Sequence, residues 1–211
     1  MADHLPFNLD HITVIAPSLS DGVAHVENQL GVAIPYGGEH PQMGTHNHLL
    51  RLGDDCFLEI IAVNPQAQKP SRPRWFGLDT GHGISSSLAT WVLKTPDIQG
   101  DLLDSYQICG RAIDITRGDL KWKISVADDG TMPMSGVFPS LIQWPAGPHP
   151  AASMIDLGCA LQSLEILHPE AQAISSAVKE RFSDPRVSII EADHKGLSAT
   201  IVTPAGLRVL N

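Results

Sequence analysis

Two side chains that can take part in chemistry stand inside apolar segments of the first third of the chain. His11 lies in the stretch 9–17, LDHITVIAP, and Glu59 lies in the stretch 57–63, FLEIIAV. A buried carboxylate is costly unless a cation or several donors meet it, so Glu59 is predicted to be a ligand, a general base or half of an ion pair. Neutral imidazole is a good ligand for several divalent metals. The two residues would therefore form half of a metal site if their strands were neighbours.

Each of these residues also has a purely structural interpretation. A lone histidine between apolar neighbours is often a core residue with satisfied hydrogen bonds, and a glutamate on an edge strand can reach solvent. His46 and His48 are two residues apart, so on a strand they share one face. That pair could bind a metal, bind an anionic substrate or hydrogen-bond nearby backbone.

The elements that would hold these residues follow a repeated order of one strand, one helix and three strands. The predicted strands of the first unit are 9–16, 32–36, 46–52 and 56–63. Its helix begins at Ser18 or Ser20, which can cap it, and ends at Gly31, a residue typical of helix C-termini. Gly37 and Gly38 interrupt the regular pattern after the second strand.

The same order recurs twice more along the chain. The second unit has predicted strands at 88–95, 112–117, 120–127 and 137–144 and a helix at 97–109. The third has strands at 161–167, 187–192, 197–202 and 207–210 and a helix at 170–182. Pro17 precedes Gly31 by the same interval that separates Pro96 from Gly110. Shared spacing of this kind predicts duplicated supersecondary units, with 64–85 as a proline-rich connector.

Composition excludes several classes of function. The chain has 211 residues, 43% of them hydrophobic, and a net charge of −9 without a basic run, so a nucleic-acid partner is not expected. No apolar stretch is long enough for a membrane span, and the N-terminus does not resemble a secretory signal. The three cysteines are far apart and odd in number, which favours reduced thiols and a cytoplasmic location.

Three segments resemble the glyoxalase-like domain of the vicinal oxygen chelate superfamily, the group of glyoxalase I and the extradiol dioxygenases. They are LDH at 9–11, GTHN at 44–47 and FLEII at 57–61, and the ending PSLIQW at 139–144 resembles that of the family's second module. The resemblance implies an α+β fold of paired βαβββ modules whose mixed sheets curl around a cleft. It divides a single domain, 1–211, into module 1 (9–64), module 2 (86–145) and a shorter βαβββ-like unit (159–211).

The resemblance also implies a site. The first and last strands of a module lie side by side, which would place His11 near Glu59 as ligands of a divalent metal such as Zn, Fe, Mn, Ni or Mg. Glu59 would ligate the ion or move a proton. The residues expected to contact a small-molecule substrate are His46, Asn47, His48, Gln143 and Trp144.

The second module departs from this pattern. Thr90 occupies the position that matches His11, and the position that matches Glu59 falls near Ile142 or Gln143. In the third unit, the position that matches His11 is Ser163. Either His48, His82 or Gln143 completes the ligand set, or the site has lost its metal.

Two functions therefore stand side by side. The first is a metal-assisted enzyme of lyase, isomerase or dioxygenase type acting on a small oxygen-rich or carbonyl compound. The second is a metal-free binding or resistance protein of the same fold. Because three units is an odd number for a fold built on pairs, a homodimer formed through the third unit is a further expectation.

Overall fold

The structure, a computed structural model, describes residues 7–81 and 84–211. The strands in these ranges are β1 Asn8–Ile15, β2 Tyr36–His40, β3 Thr45–Arg51, β4 Phe57–Val63, β5 Ser87–Lys94, β6 Arg111–Arg117, β7 Leu120–Val126, β8 Ser140–Gln143, β9 Ala160–His168, β10 Val187–Glu191, β11 Gly196–Thr203 and β12 Gly206–Leu210. The α-helices are α1 Leu19–Leu30, α2 Ile98–Leu103 and α3 Ala171–Val178.

The first two units form one eight-stranded mixed sheet in the order β2-β3-β4-β1-β5-β8-β7-β6. In each unit the first strand pairs in parallel with the last, β1 with β4 and β5 with β8, and β1 pairs antiparallel with β5 to join the units. The sheet curls until its edges approach, and the Thr116 N–H donates to Gln42 Oε1 across the gap at 2.9 Å. The predicted α+β fold of βαβββ modules with a curled sheet is confirmed.

Helix α1 shows why the first unit folds as its sequence predicts. Ser18 caps it by accepting a hydrogen bond from the Asp21 N–H at 3.1 Å, and Gly31 ends it with a φ of 69°. Val26 and Leu30, four residues apart on one helix face, are fully buried against the sheet. This helix covers one face of the sheet, so the cleft forms on the other.

Four predicted elements differ from the structure. The strand predicted at 137–144 is limited to Ser140–Gln143, and the helix predicted at 170–182 is limited to Ala171–Val178. The strand predicted at 32–36 lies instead at Tyr36–His40 and includes Gly37 and Gly38, where the lack of side chains leaves room for Asn47, Leu49 and Arg117. The helix predicted at 97–109 ends at Leu103, and a short 3₁₀ turn, Gln107–Cys109, follows.

The third unit shares the order of elements but not the pairing of the first two. It forms a four-stranded sheet in the order β10-β9-β11-β12, in which the first strand pairs with the second and third rather than with the last. Its inner side chains, including Leu164 and Ile201, belong to the same hydrophobic core as Leu9 and Trp91. Its outer face exposes apolar side chains: Ile190, Val202, Leu207 and Val209. The homodimer through this unit stays a prediction.

Two simpler expectations concern the membrane and the thiols. No helix in ranges 7–81 and 84–211 is long and apolar enough to cross a membrane. Cys56, Cys109 and Cys159 are all buried and unbridged.

Candidate functional site

Strand pairing brings His11 and Glu59 together at the concave face of the eight-stranded sheet. In the parallel pairing of β1 with β4, His11 lies opposite Phe57 and Thr13 opposite Glu59. The His11 Nε2 atom is 3.8 Å from Glu59 Oε2, and the His11 ring stacks on Phe57 with centroids 4.6 Å apart. Both polar side chains are buried, with 3% and 7% of their surface exposed. The predicted adjacency of the two residues is therefore observed.

Asp10, which strict strand alternation would place on the opposite face from His11, belongs to the site. The register between β1 and β5 shifts between Leu9 and His11, so Asp10 is the extra residue of a bulge. A bulge re-aims side chains and lets consecutive residues meet. Here His11 Nδ1 is 2.7 Å from Asp10 Oδ1. The signal in the sequence was a carboxylate directly beside the histidine inside an apolar strand.

Three donors converge on the Asp10 carboxylate, which is fully buried. Besides His11, the Trp144 Nε1–H donates to Asp10 Oδ2 at 2.8 Å and His149 Nε2 lies 2.9 Å from the same oxygen. Burial opposes the charge, but the hydrogen bonds from His11 and His149 and their electrostatic attraction lower the pKa of Asp10 to about 2. Asp10 is thus an anion near neutral pH.

The contacts with Asp10 fix which nitrogen of each imidazole carries the proton when that ring is neutral. A carboxylate only accepts hydrogen bonds, so His11 must donate from Nδ1–H, which leaves a lone pair on Nε2 of the neutral ring. The Ala151 N–H donates to His149 Nδ1 at 3.2 Å, so His149 carries its proton on Nε2 and donates that to Asp10. His11 Nε2 is consequently a base or a ligand atom beside Glu59.

A second chain of hydrogen bonds leads from Glu59 to a cation of module 2. The Asn47 amide donates to Glu59 Oε1 at 2.6 Å, and the Arg117 Nη1 atom donates to Asn47 Oδ1 at 3.3 Å. Burial lowers the pKa of the Arg117 guanidinium, while the charges of Glu59 and Tyr36 act in the opposite direction. Asn47 therefore separates a negative and a positive group on the wall of the cleft.

The rest of the cleft is mostly aromatic and apolar. About 430 Å³ of empty space lies in and in front of the cleft, and this figure includes open solvent. The apolar side chains on its walls are Leu49, Phe57, Trp75, Phe76, Trp122, Ile124, Ile142, Trp144, Pro150 and Met154. His40 also lines it, and burial together with the charge of Arg117 lowers the pKa of His40 to about 3, so this ring is neutral.

Of the five side chains predicted to contact substrate, Asn47 and Trp144 line the cleft and three do not. His46 and His48 flank Asn47 on β3, so strand alternation turns both to the opposite face, where His48 Nδ1 is 2.6 Å from the Ile34 carbonyl oxygen. Gln143 instead donates to the Pro96 carbonyl and accepts from the Ile98 N–H at the start of α2. His82, considered as a ligand, lies outside the described residues.

Comparisons with known proteins place this arrangement in a family. The glyoxalase-like domain family matches residues 9–182. The chain belongs to the glyoxalase-like domain family. That family is part of the vicinal oxygen chelate superfamily, so the predicted family is confirmed.

Two solved structures are similar to this glyoxalase-like protein at low sequence identity. A hypothetical protein from Staphylococcus aureus is 16% identical, covers 94% of this chain and 82% of its own, and has a TM-score of 0.58. Methylmalonyl-CoA epimerase of Streptomyces coelicolor, in complex with 2-nitronate-propionyl-CoA, is 14% identical, with a TM-score of 0.46 over 69% of this chain and 99% of its own. No curated protein gives a match.

Members of the superfamily often use a divalent metal, and the donor set of this glyoxalase-like site can be compared with what such an ion needs. His11 Nε2 and Glu59 Oε2 are two suitable donors, but catalytic zinc generally has three protein ligands. Within 7–81 and 84–211, no group of three histidine, cysteine, aspartate or glutamate side chains could hold an ion. In module 2, Ile142 lines the cleft where a ligand would be needed, and Arg117 adds positive charge. The described residues do not fit a complete metal site.

Proposed function

We propose that this glyoxalase-like protein is an enzyme of isomerase or lyase type that moves a proton on a small, oxygen-rich carbonyl compound. One observation carries the proposal: the Asp10 anion holds His11 so that its Nε2 lone pair stands 3.8 Å from Glu59 Oε2 on the wall of the cleft. A fixed base beside a carboxylate, at the surface of a largely apolar cleft, is suited to general acid–base catalysis.

The chemistry follows from the charges. His11 Nε2 takes a proton from a carbon next to the substrate carbonyl, and the C–H electron pair moves into the enolate. The imidazolium that results lies between two carboxylates, Asp10 at 2.7 Å and Glu59 at 3.8 Å, which stabilise it. Return of the proton to the other face or to a neighbouring atom gives an isomer, and departure of a group on the next carbon gives a lyase product.

Exchange of protons for deuterium tests this proposal directly. Pyruvate, 2-oxobutanoate, dihydroxyacetone and acetoin would be incubated with the protein in D₂O, and loss of the proton signal next to the carbonyl followed by NMR. We expect exchange above the buffer rate with the wild type and not with His11→Gln. Wild-type exchange no faster than buffer with all four compounds, or equal exchange by His11→Gln, would refute the proposal.

The aromatic walls favour a second candidate, a binding or resistance protein without turnover. Trp75, Phe76, Trp122 and Trp144 supply enough flat apolar surface to hold a small ligand without chemistry. Under this alternative, His11→Gln would retain the ligand affinity of the wild type, and no compound that binds would exchange its protons.

A further inference from the structure

Arg117 differs from most of the arginines of the chain. Five of the eight arginines form ion pairs with aspartates: Arg51, Arg74, Arg111, Arg181 and Arg186. Arg117 is half-buried in the cleft wall, yet no ion pair to it is found in ranges 7–81 and 84–211, and its one hydrogen-bond acceptor there is the neutral Asn47 amide. Glu59 lies beyond Asn47 and does not contact the guanidinium. A partly desolvated guanidinium that no carboxylate contacts directly can bind one, because its planar fork matches a carboxylate.

The backbone makes room for this side chain. A Cβ on Gly38, whose φ is +144°, would lie 3.0 Å from Arg117 Cδ. A Cβ on Gly37 would lie 2.4 Å from Asn47 Oδ1 and 2.7 Å from Leu49 Cγ. The two glycines of β2 thus accommodate Arg117 where it reaches across from the other edge of the curled sheet, and they leave Asn47 free to accept from it.

A second unpaired donor belongs to the same cleft. The Trp75 indole N–H is buried and has no acceptor among the described residues. A buried donor of this kind is stabilised when a ligand oxygen accepts from it. The neighbouring walls are flat: the Trp122 ring lies 5.8 Å from the Arg117 guanidinium and 5.3 Å from the Trp144 ring. A cation, an unpaired N–H and flat apolar walls together match a planar compound with a carboxylate.

We propose that Arg117 anchors the carboxylate of a small carboxylic acid with a flat, unsaturated or aromatic body, seated among Trp75, Trp122 and Trp144. This inference rests on the proposed function for the fate of the ligand, because the anchored acid would present its reactive carbon toward His11 and Glu59. The binding part of the inference does not depend on turnover.

Benzoylformate is the probe, because it is a flat 2-oxo acid without a proton next to the carbonyl and can therefore bind without reacting. Its neutral counterpart is benzoylformamide. Titration calorimetry would give the affinity of each for wild type, Arg117→Gln and Arg117→Lys. We expect the acid to bind wild type at least about tenfold more tightly than the amide, since hydrogen bonds to charged groups contribute on that scale. Arg117→Gln should remove that preference, and Arg117→Lys should retain part of it.

Matched controls separate the anchor from general effects. Arg111→Gln changes an exposed arginine of the same strand and should leave the affinity for benzoylformate unchanged. Gly38→Ala should weaken binding of the acid by pressing on the Arg117 stem. Gly53→Ala, at a similar φ of +151° but without a close neighbour, should not. Melting temperatures of all variants would show that each is folded.

The outcomes distinguish this inference from the proposed function. Equal affinity for acid and amide, failure of wild type to bind benzoylformate, or unchanged acid binding by Arg117→Gln overturns the carboxylate anchor. Tight binding that depends on Arg117, without proton exchange in any carbonyl compound, supports the anchor and refutes the enzyme. Exchange in a 2-oxo acid that Arg117→Gln leaves unchanged supports the enzyme and refutes the anchor.

Discussion

The two modules of the curled sheet have the same strand pairing but unlike side chains at the cleft. Module 1 supplies the ionisable groups His11 and Glu59, carried on paired strands. In module 2 the residue opposite His11 on the neighbouring strand is Val92, and β8 presents Ile142. The duplicated fold therefore does not carry a duplicated site: one module performs the chemistry that we propose, and the other forms walls and contributes Arg117.

Module 2 still supports the chemistry of module 1 indirectly. Trp144 directly follows its last strand and His149 lies a few residues further on, and both donate to Asp10. Asp10 in turn holds His11. The ends of the second module thus orient a base that the first module carries, which is how supporting residues commonly fix an imidazole.

The largest expected effect separates His11 from its counterpart Thr90. We predict that His11→Gln lowers the rate of proton exchange by about 10²–10⁴-fold, the usual contribution of a general base. Thr90→Ser, at the matching position of module 2, should change the rate by less than about twofold, because Thr90 is buried and contacts backbone. Equal losses in both variants, measured by NMR in D₂O, would contradict the division of roles.

The next effect concerns stability and its dependence on pH. The pKa of Asp10 falls from 3.8 to about 2 on folding, so this group stabilises the protein above pH 3.8 and the contribution is lost as the pH falls toward 2. The size is about 2 kcal/mol in the free energy of unfolding. Asp10→Asn should lack this stabilisation at pH 7. Its free energy of unfolding should also fall less steeply than that of wild type as the pH is lowered. Denaturant unfolding from pH 7 to 2 measures both, and parallel curves for the two proteins would refute the assignment.

A third experiment gives module 2 a metal ligand at the cleft, as module 1 has. Ile142→His places a third nitrogen or oxygen donor on the wall that already has His11 and Glu59. We expect zinc affinity to rise by at least the roughly tenfold that even a supporting residue contributes. Calorimetry with Zn²⁺ measures the change. The control is Val126→His, because Val126 lies on the neighbouring strand β7 but does not line the cleft. Wild type binding zinc as tightly as Ile142→His would show that the native donor set is complete.

The smallest expected effect concerns which face of β3 lines the cleft. His46→Gln and His48→Gln should change the exchange rate by less than about twofold, because both rings lie on the face away from the cleft. Asn47→Ala, between them, should lower it by about tenfold through loss of the hydrogen bond to Glu59. If either histidine variant lowered the exchange rate as much as Asn47→Ala, the assignment of Asn47 to the cleft face of β3 would be contradicted.

The sequence predicted the strand order of the modules, because proline and glycine mark the ends of β1 and α1 and the apolar periods are clear. It also predicted that His11 meets Glu59. It could not predict Asp10, since strict alternation puts consecutive residues on opposite faces and a bulge overrides it. Nor could it distinguish Asn47 from its neighbours His46 and His48, because a shift of one residue exchanges the faces of a strand.

Arg117 illustrates a different limit. The role that we propose for it depends on the curl of the sheet, which brings β6 against β2, and on Asn47, which stands between Arg117 and Glu59 so that no described carboxylate contacts the guanidinium. Both are properties of the closed sheet that no local pattern of residues expresses. The third unit shows the same limit, because its order of elements matches the modules while its strand pairing does not.

We propose that His11 and Glu59 move the proton without a metal, because the described residues do not fit a complete metal site. Wild-type protein would be treated with a chelator, its metal content checked, and proton exchange of its best carbonyl compound followed in D₂O beside Glu59→Gln. We predict that chelated wild type keeps its rate of proton exchange and that the rate of Glu59→Gln is lower by about tenfold or more. Loss of exchange on chelation, with recovery on adding back a divalent ion, would contradict it.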